Sequence, residues 1–193
     1  MDSDRAGFSL VELLMVVAIV MLLMTSAIIG FNSIVSSSRM EQAGRMVVDE
    51  FNIARQTAAA RNANVEIRFI LTNRPGTSSN VFWQMESGMF SGKSANATFV
   101  PFRAKTRLPE GIIMAPSSGL SSILGNLTNN VATLTVRPNG ILEPRSGLSL
   151  SARNGWFITL VPGRKPVASI NDTDDFITIQ VDPITTRTTI YRP

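Results

Sequence analysis

The 193-residue chain carries 18 Lys+Arg against 14 Asp+Glu, a formal net charge of +4, with 44% hydrophobic and 17% charged residues. It contains neither cysteine nor histidine. That excludes disulfide frameworks, thiolate or imidazole metal sites and His-based catalytic triads. The length accommodates one membrane helix and one globular domain of roughly 130 residues, large enough for a core of its own.

The first element is a dominantly apolar run from Phe8 to Ile29, interrupted by one charge, Glu12. About 22 residues make roughly 33 Å of helix, enough to cross a bilayer. A carboxylate about one turn inside such a run is costly and needs a cation or a route to the interface. A cut between Gly7 and Phe8 would create an α-amino group that supplies the cation. Residues 13–24 also fit the apolar region of a secretory signal, with Thr25-Ser26-Ala27 as its cleavage site, or a plain anchor. Neither alternative accounts for Glu12 or for the Gly7-Phe8 junction.

Gly7-Phe8-Ser9-Leu10-Val11-Glu12 resembles the type IV prepilin and pseudopilin signature, in which a short leader ends in Gly and is followed by Phe, with Glu at the fifth mature position. The resemblance implies cleavage after Gly7 by a membrane prepilin peptidase, N-methylation of Phe8, and an assembly role for Glu12. It covers residues 6–30. The leader departs from the family in carrying two acids and one base, Asp2, Asp4 and Arg5, where basic leaders are usual. Many type IV pilins close a C-terminal loop with a disulfide. This chain has no cysteine, so the resemblance leans toward pseudopilins.

Nothing forbids a continuous helix from Phe8 to about Asn62, since the first proline is Pro75. Gly30 and Ser36-Ser37-Ser38 are its soft spots. Beyond them Met40, Gly44, Val47, Phe51, Ala54 and Ala58 recur at spacings of four and three, an apolar stripe expected to pack on the chain's own globular domain. Arg39, Gln42, Arg45, Asp49, Asn52 and Gln56 lie largely off it.

The period then changes to two. Val65, Ile67, Phe69 and Leu71 alternate with Glu66 and Arg68, which predicts a half-buried strand. Residues 74–80 form a turn cluster, and Val81 to Met85 reads as the partner strand. A small-residue loop over 87–97, a strand over 98–107 and a long surface excursion over 115–130 follow. Further strands are expected over 131–136 and 156–161. A C-terminal hairpin is expected from 176–181 and 186–191 around Asp182-Pro183-Ile184-Thr185. The fold class is therefore α+β: a long N-terminal transmembrane-plus-amphipathic helix packed on an antiparallel sheet, pilin-like by the resemblance. The expected organisation is a leader (1–7), a transmembrane half-helix (8–29), an amphipathic half-helix (30–62) and a β-rich globular domain (63–193).

Later segments extend the resemblance. Ala58-Ala59-Ala60-Arg61-Asn62 running directly into a strand is similar to minor pseudopilins of the GspH and FimU type. So are the turns Leu108-Pro109-Glu110-Gly111-Ile112 and Val136-Arg137-Pro138-Asn139-Gly140. The stretch from Ile179 to Arg187 is similar to the Verru_Chthon cassette protein D subfamily. That subfamily usually carries Thr-Gly where this chain has Thr185-Thr186. A second Thr weakens a tight turn, because Gly adopts positive φ more cheaply.

Candidate binding residues are few. Arg103, Lys105 and Arg107 would share one face of the strand over 98–107 and could grip phosphates. Such charges also simply solubilise an edge strand, and no aromatic residue interleaves on that face, so nucleic acid is not expected as a partner. Asp172, Asp174 and Asp175 offer hard oxygen ligands to Ca²⁺ but lack the Gly and distal Glu of an EF-hand loop, and an acidic turn is the expected reading. Gly92-Lys93-Ser94 lacks the first Gly of a P-loop, which would fall on Ser87. The Asn-x-Thr triplets at Asn96, Asn126 and Asn171 read as accidental in the bacterial setting that the resemblance implies. No cofactor is expected.

The primary functional expectation is a structural subunit of a type IV pilus or type II secretion pseudopilus, a minor or tip component acted upon at Gly7-Phe8. Its partners would be the prepilin peptidase, the membrane and other pilin subunits through the N-terminal helix. Its place would be the bacterial inner membrane, with the globular domain in the periplasm, or a filament. A tip module recognising DNA, polysaccharide or an exported protein is the alternative. A membrane-anchored enzyme would have to rely on Asp/Glu, Ser or Lys chemistry, and no paired constellation is visible.

Overall fold

The computed structural model describes residues 9–75, 80–91, 98–117, 119–125, 127–144, 155–163 and 175–192, with the backbone alone given for 26–34. The chain divides into two compact units, 1–38 and 39–193. A single helical assignment, α1 (Leu10–Arg61), contributes to both.

In the first unit, α1 starts as the sequence chemistry dictates. Ser9 is the N-cap: its Oγ accepts the Glu12 backbone N–H (3.2 Å), and its carbonyl accepts that of Leu13 (3.1 Å). Ser followed three residues later by Glu is capping-box spacing, and an acid in the first turn complements the helix dipole. From Leu10 to Met24 every described large apolar side chain is exposed, from 42% at Val20 to 79% at Leu10. A helix apolar on all sides calls for an apolar surrounding. Among the described residues no helix is long and apolar enough to cross a membrane. The 8–29 span read from the sequence includes Phe8 and residues 26–29, which lie outside the described side chains.

In the second unit the helix is amphipathic. Met40, Val47, Phe51, Ala54 and Ala58 are fully buried and Gly44 is buried with them, whereas Arg39, Gln42, Arg45 and Asp49 are exposed. The stripe enters one core with Val65, Ile67 and Phe69, and the Phe51 and Phe69 rings lie 6.2 Å apart. The helix stops in a Schellman motif. Asn62 takes φ +48, its N–H bonds Ala59 O (3.3 Å), and the Ala63 N–H bonds Ala58 O (3.2 Å). Asn tolerates the left-handed conformation, and the pair of bonds satisfies carbonyls the helix would leave orphaned.

Among the described residues ten antiparallel strands form one sheet: β1 (Val65–Asn73), β2 (Asn80–Ser91), β3 (Thr98–Pro101), β4 (Thr106–Arg107), β5 (Ile112–Met114), β6 (Val131–Val136), β7 (Leu142–Pro144), β8 (Trp156–Pro162), β9 (Ile177–Val181) and β10 (Thr188–Tyr191). Their order is β10-β9-β8-β5-β2-β1-β6-β7, and β3 and β4 also pair with β2. One long strand thus serves three short ones in turn along its edge: β5 at Phe82, β4 at Gln84 and Met85, and β3 from Gly88 to Ser91. Gly88 permits the last pairing, since a Cβ there would lie 2.4 Å from the Val100 carbonyl.

The architecture is the expected α+β, with corrections in detail. The strand over 81–85 runs on to Ser91, taking up the first part of the expected 87–97 loop. The strand expected over 98–107 is broken by a bend at 102–104. The "surface excursion" over 115–130 contains a short 3₁₀ turn, Ser122–Leu124, and buries Leu120, Ile123 and Leu124. Its Ser/Asn/Gly content signals turns but is silent about isolated apolar residues that plug the core edge. Strands β5 and β7 are three residues long, too short for a period to register.

The C-terminal hairpin forms, with Thr188 opposite Val181 and Tyr191 opposite Thr178. Thr186 occupies the left-handed position its turn requires, at φ +55. The Thr186 hydroxyl donates to the Gly140 carbonyl, the side chain is fully buried, and the Leu142 N–H bonds Pro183 O (2.7 Å). Docking of this turn onto the 137–142 turn compensates a conformation that a β-branched residue adopts reluctantly.

Candidate functional site

Two glutamates interrupt the apolar pattern of α1, and both mark a site. Glu12 lies in the first turn, exposed, with its backbone N–H capped by Ser9. Gly7 and Phe8, the expected cleavage and methylation pair, lie outside the described residues.

Glu50 went unnoticed in the sequence. It sits inside the buried stripe, between Val47 and Phe51, and is fully buried. A carboxylate there is tolerable only if every lone pair finds a donor. Ser87 of β2 donates to one oxygen. Arg103, within the bend after β3, and Thr106, in β4 just past it, donate to the other, Thr106 at 3.0 Å. The cluster ties the helix to β2 and to the β3–β4 link. The signal that could have found Glu50 is the one that exposed Glu12: a charge at an apolar position of the helical period.

This geometry corrects the reading of Arg103, Lys105 and Arg107 as one basic stripe. The bend at 102–104 destroys the shared strand face. Arg103 turns inward to pair with Glu50, with 41% of its side chain still exposed. Lys105 is exposed. Arg107 is exposed and lies over the Trp83 ring at 5.8 Å. The three charges therefore have three different surroundings.

Trp83 is the extra residue where the β1–β2 register shifts, between Gln84 opposite Ile70 and Phe82 opposite Leu71. Arg74 lies over the same ring at 5.2 Å and donates to Ile112 O (2.8 Å) and Pro109 O (2.9 Å). Burial pushes the Arg74 guanidinium below its ordinary pKa, and the Glu110 carboxylate partly offsets this. Arg74, expected as part of a turn, instead anchors the loop before β5.

Of the acidic candidates, Asp172 and Asp174 lie outside the described residues. Asp175 pairs with Arg192 at 3.1 Å. Among the described residues no group of three or more acidic side chains is placed to hold a metal. Asp182 serves its own turn: one oxygen accepts the Ile184 N–H (2.9 Å), the other the Thr185 hydroxyl (2.8 Å). The Ile184 N–H bond, the Thr185 hydroxyl and nearby Arg187 hold its carboxyl below the usual range.

Residues 2–28 match the family described as the prokaryotic N-terminal methylation motif. Among solved structures, the type IV minor pilin FimU of Pseudomonas aeruginosa strain PAO1 is similar at 14% identity and a TM-score of 0.49, over 81% of this chain and 93% of FimU. No curated protein matches. The matched segment is the N-terminal motif, and it places Glu12 on the first turn of α1.

Proposed function

We propose that this chain is a prepilin-like structural subunit, cut between Gly7 and Phe8 by a prepilin peptidase and methylated on the new Phe8 amine. Residues 8–29 anchor it in the bacterial inner membrane with the globular domain in the periplasm. The same segment carries it into a type IV pilus or secretion pseudopilus as a minor or tip component of the GspH and FimU kind. The observation that carries this reading is the first half of α1. Its large apolar side chains are exposed on all sides, and its one carboxylate, Glu12, lies in the first turn. In a low-dielectric surrounding an unpaired carboxylate is costly, so Glu12 pairs with a Phe8 ammonium, its own or a neighbouring subunit's, and sets the register between helices.

Intact-mass analysis of the protein from its native membrane tests the processing step. The expected mass is that of a chain starting at methylated Phe8, and a chain starting at Met1 or Ile28 overturns the reading. Glu12→Leu separates insertion from assembly. The variant is expected to insert and be cut normally, yet to lose crosslinks to partner subunits. Glu12→Asp, one methylene shorter, falls between. Full assembly of Glu12→Leu would remove the proposed role of the carboxylate.

A further inference from the structure

The sheet face turned away from the core carries a groove of about 310 Å³ over β8, β9 and β10. Strand register defines its floor. Phe157, Gln180 and Thr189 form one cross-strand row, and Thr159, Thr178 and Tyr191 form the next. Alternation puts Ile158, Leu160, Ile177 and Ile179 on the core side of these strands. The two aromatic rings therefore stand on the outer strands at diagonal corners, with the Thr178 hydroxyl and the Gln180 amide on the strand between them.

The groove is built, not incidental. Ser121 and Ser122 brace its rim: their hydroxyls accept the Thr159 and Phe157 N–H groups, each at 3.0 Å, and the Ser122 hydroxyl donates to Gly155 O at 3.1 Å. Gly155 takes φ +66, and a Cβ there would lie 3.5 Å from the Gln180 amide nitrogen. The missing side chain leaves that amide room. The Thr159 and Thr178 hydroxyls are 3.1 Å apart and bonded to each other. Thr159 is buried, so the half-buried Thr178 hydroxyl is the one of the pair that faces a ligand, with a lone pair still to offer.

Among the described residues that line the groove none is charged, in a chain of net charge +4. An ionic ligand would find no counter-charge among them. Two aromatic faces suit the flat C–H face of a sugar ring, and the Gln180 amide and Thr178 hydroxyl between them suit its hydroxyl groups. The volume is at the low end of ligand pockets, which run roughly 300–1,000 Å³. A peptide strand would instead seek main-chain partners at a sheet edge, whereas this floor presents side chains. We infer that the β8–β10 groove binds a neutral saccharide of one or two rings. The site does not depend on processing or assembly of the subunit.

Tyr191 is the only tyrosine, so fluorotyrosine labelling of the full chain puts a single ¹⁹F reporter in the groove. The protein is held in a zwitterionic detergent without a sugar headgroup and titrated with glucose, galactose, N-acetylglucosamine and maltose. A saturable shift with at least one of these sugars, with Kd on the order of 1 mM, is expected. Gln180→Ala, an exposed change that spares the core, should weaken binding at least about tenfold, as should Phe157→Leu, which keeps an apolar side chain without the ring. Charged gluconate should not compete. The inference is overturned by no saturable shift with any of the four sugars, by equal affinity in Gln180→Ala, or by gluconate binding as tightly as glucose.

Discussion

The two halves of α1 share one backbone conformation and meet opposite surroundings. Between Leu10 and Met24 the large apolar side chains face outward on every side. From Met40 to Ala58 the stripe Met40, Val47, Phe51, Ala54 and Ala58 is buried against the chain's own sheet, while Met46, Val48 and Ile53 are half-buried. Helical hydrogen bonding is indifferent to this difference. What separates the halves is how the apolar residues are distributed around the axis, because that decides whether a partner on one side can satisfy them. The two glutamates follow the same division. Glu50 meets all its donors within the domain. Glu12 lies exposed in the first turn, and its proposed cation comes from processing or assembly.

The strongest way to break this contrast is to remove one large side chain from each half. Phe51→Ala should cost about 3–5 kcal/mol in denaturant unfolding of the globular domain. Leu14→Ala should leave the same transition within about 0.5 kcal/mol. Equal effects would mean that the first half also packs on the domain. Next in size is the buried carboxylate. Arg103→Met strips Glu50 of its cation while Ser87 and Thr106 remain, and should cost about 2–3 kcal/mol, below the cost for a fully buried pair because Arg103 is half exposed. Arg107→Met, which removes only a contact with the Trp83 ring, should cost under about 1 kcal/mol. If the two arginines prove interchangeable in the same unfolding assay, the Arg103–Glu50 pair does not tie the helix to the β3–β4 link.

Smaller effects sharpen the picture of the C-terminal turn. Thr186→Gly relieves a left-handed β-branched residue but discards its bond to the Gly140 carbonyl. The two changes oppose, so the melting curve should correspond to a net change within about 1 kcal/mol. A larger loss would show that the docking bond outweighs the strain. The smallest effect concerns pH. Asp182 has a depressed folded-state pKa, so its contribution is present above the ordinary carboxylate pKa of about 3.9 and is lost as pH falls through the lower folded value. The melting-temperature gap between the parent and Asp182→Asn should therefore be constant near neutrality and close in acid. A gap that persists below the carboxylate range would point to loss of turn geometry in the variant, not of charge.

Most of the fold's outline was legible because it rests on period. The 3.6-residue stripe of Met40, Val47, Phe51 and Ala54 and the two-residue alternation of Val65, Ile67 and Phe69 each state which face is buried, and the structure buries those faces. Glu12 was legible for the same reason, as a charge at odds with its neighbours. Glu50 offered the same kind of signal in a weaker setting, since a glutamate in an amphipathic helix ordinarily faces water. Thr186 was legible as a residue in a demanding turn, but its compensation was not, because Gly140 is distant in sequence.

By itself the chain determines where α1 begins and ends, through Ser9 and Asn62, and which of its halves can be satisfied from within. These are local matters of capping and of apolar distribution around one axis. Only the tertiary structure decided that β2 would serve three partners along one edge, that Arg103 would turn inward to Glu50, and that Phe157 and Tyr191 would frame one groove. Each of those depends on pairing between segments far apart in the chain. Strand alternation says which way a side chain points but not which strand lies beside it.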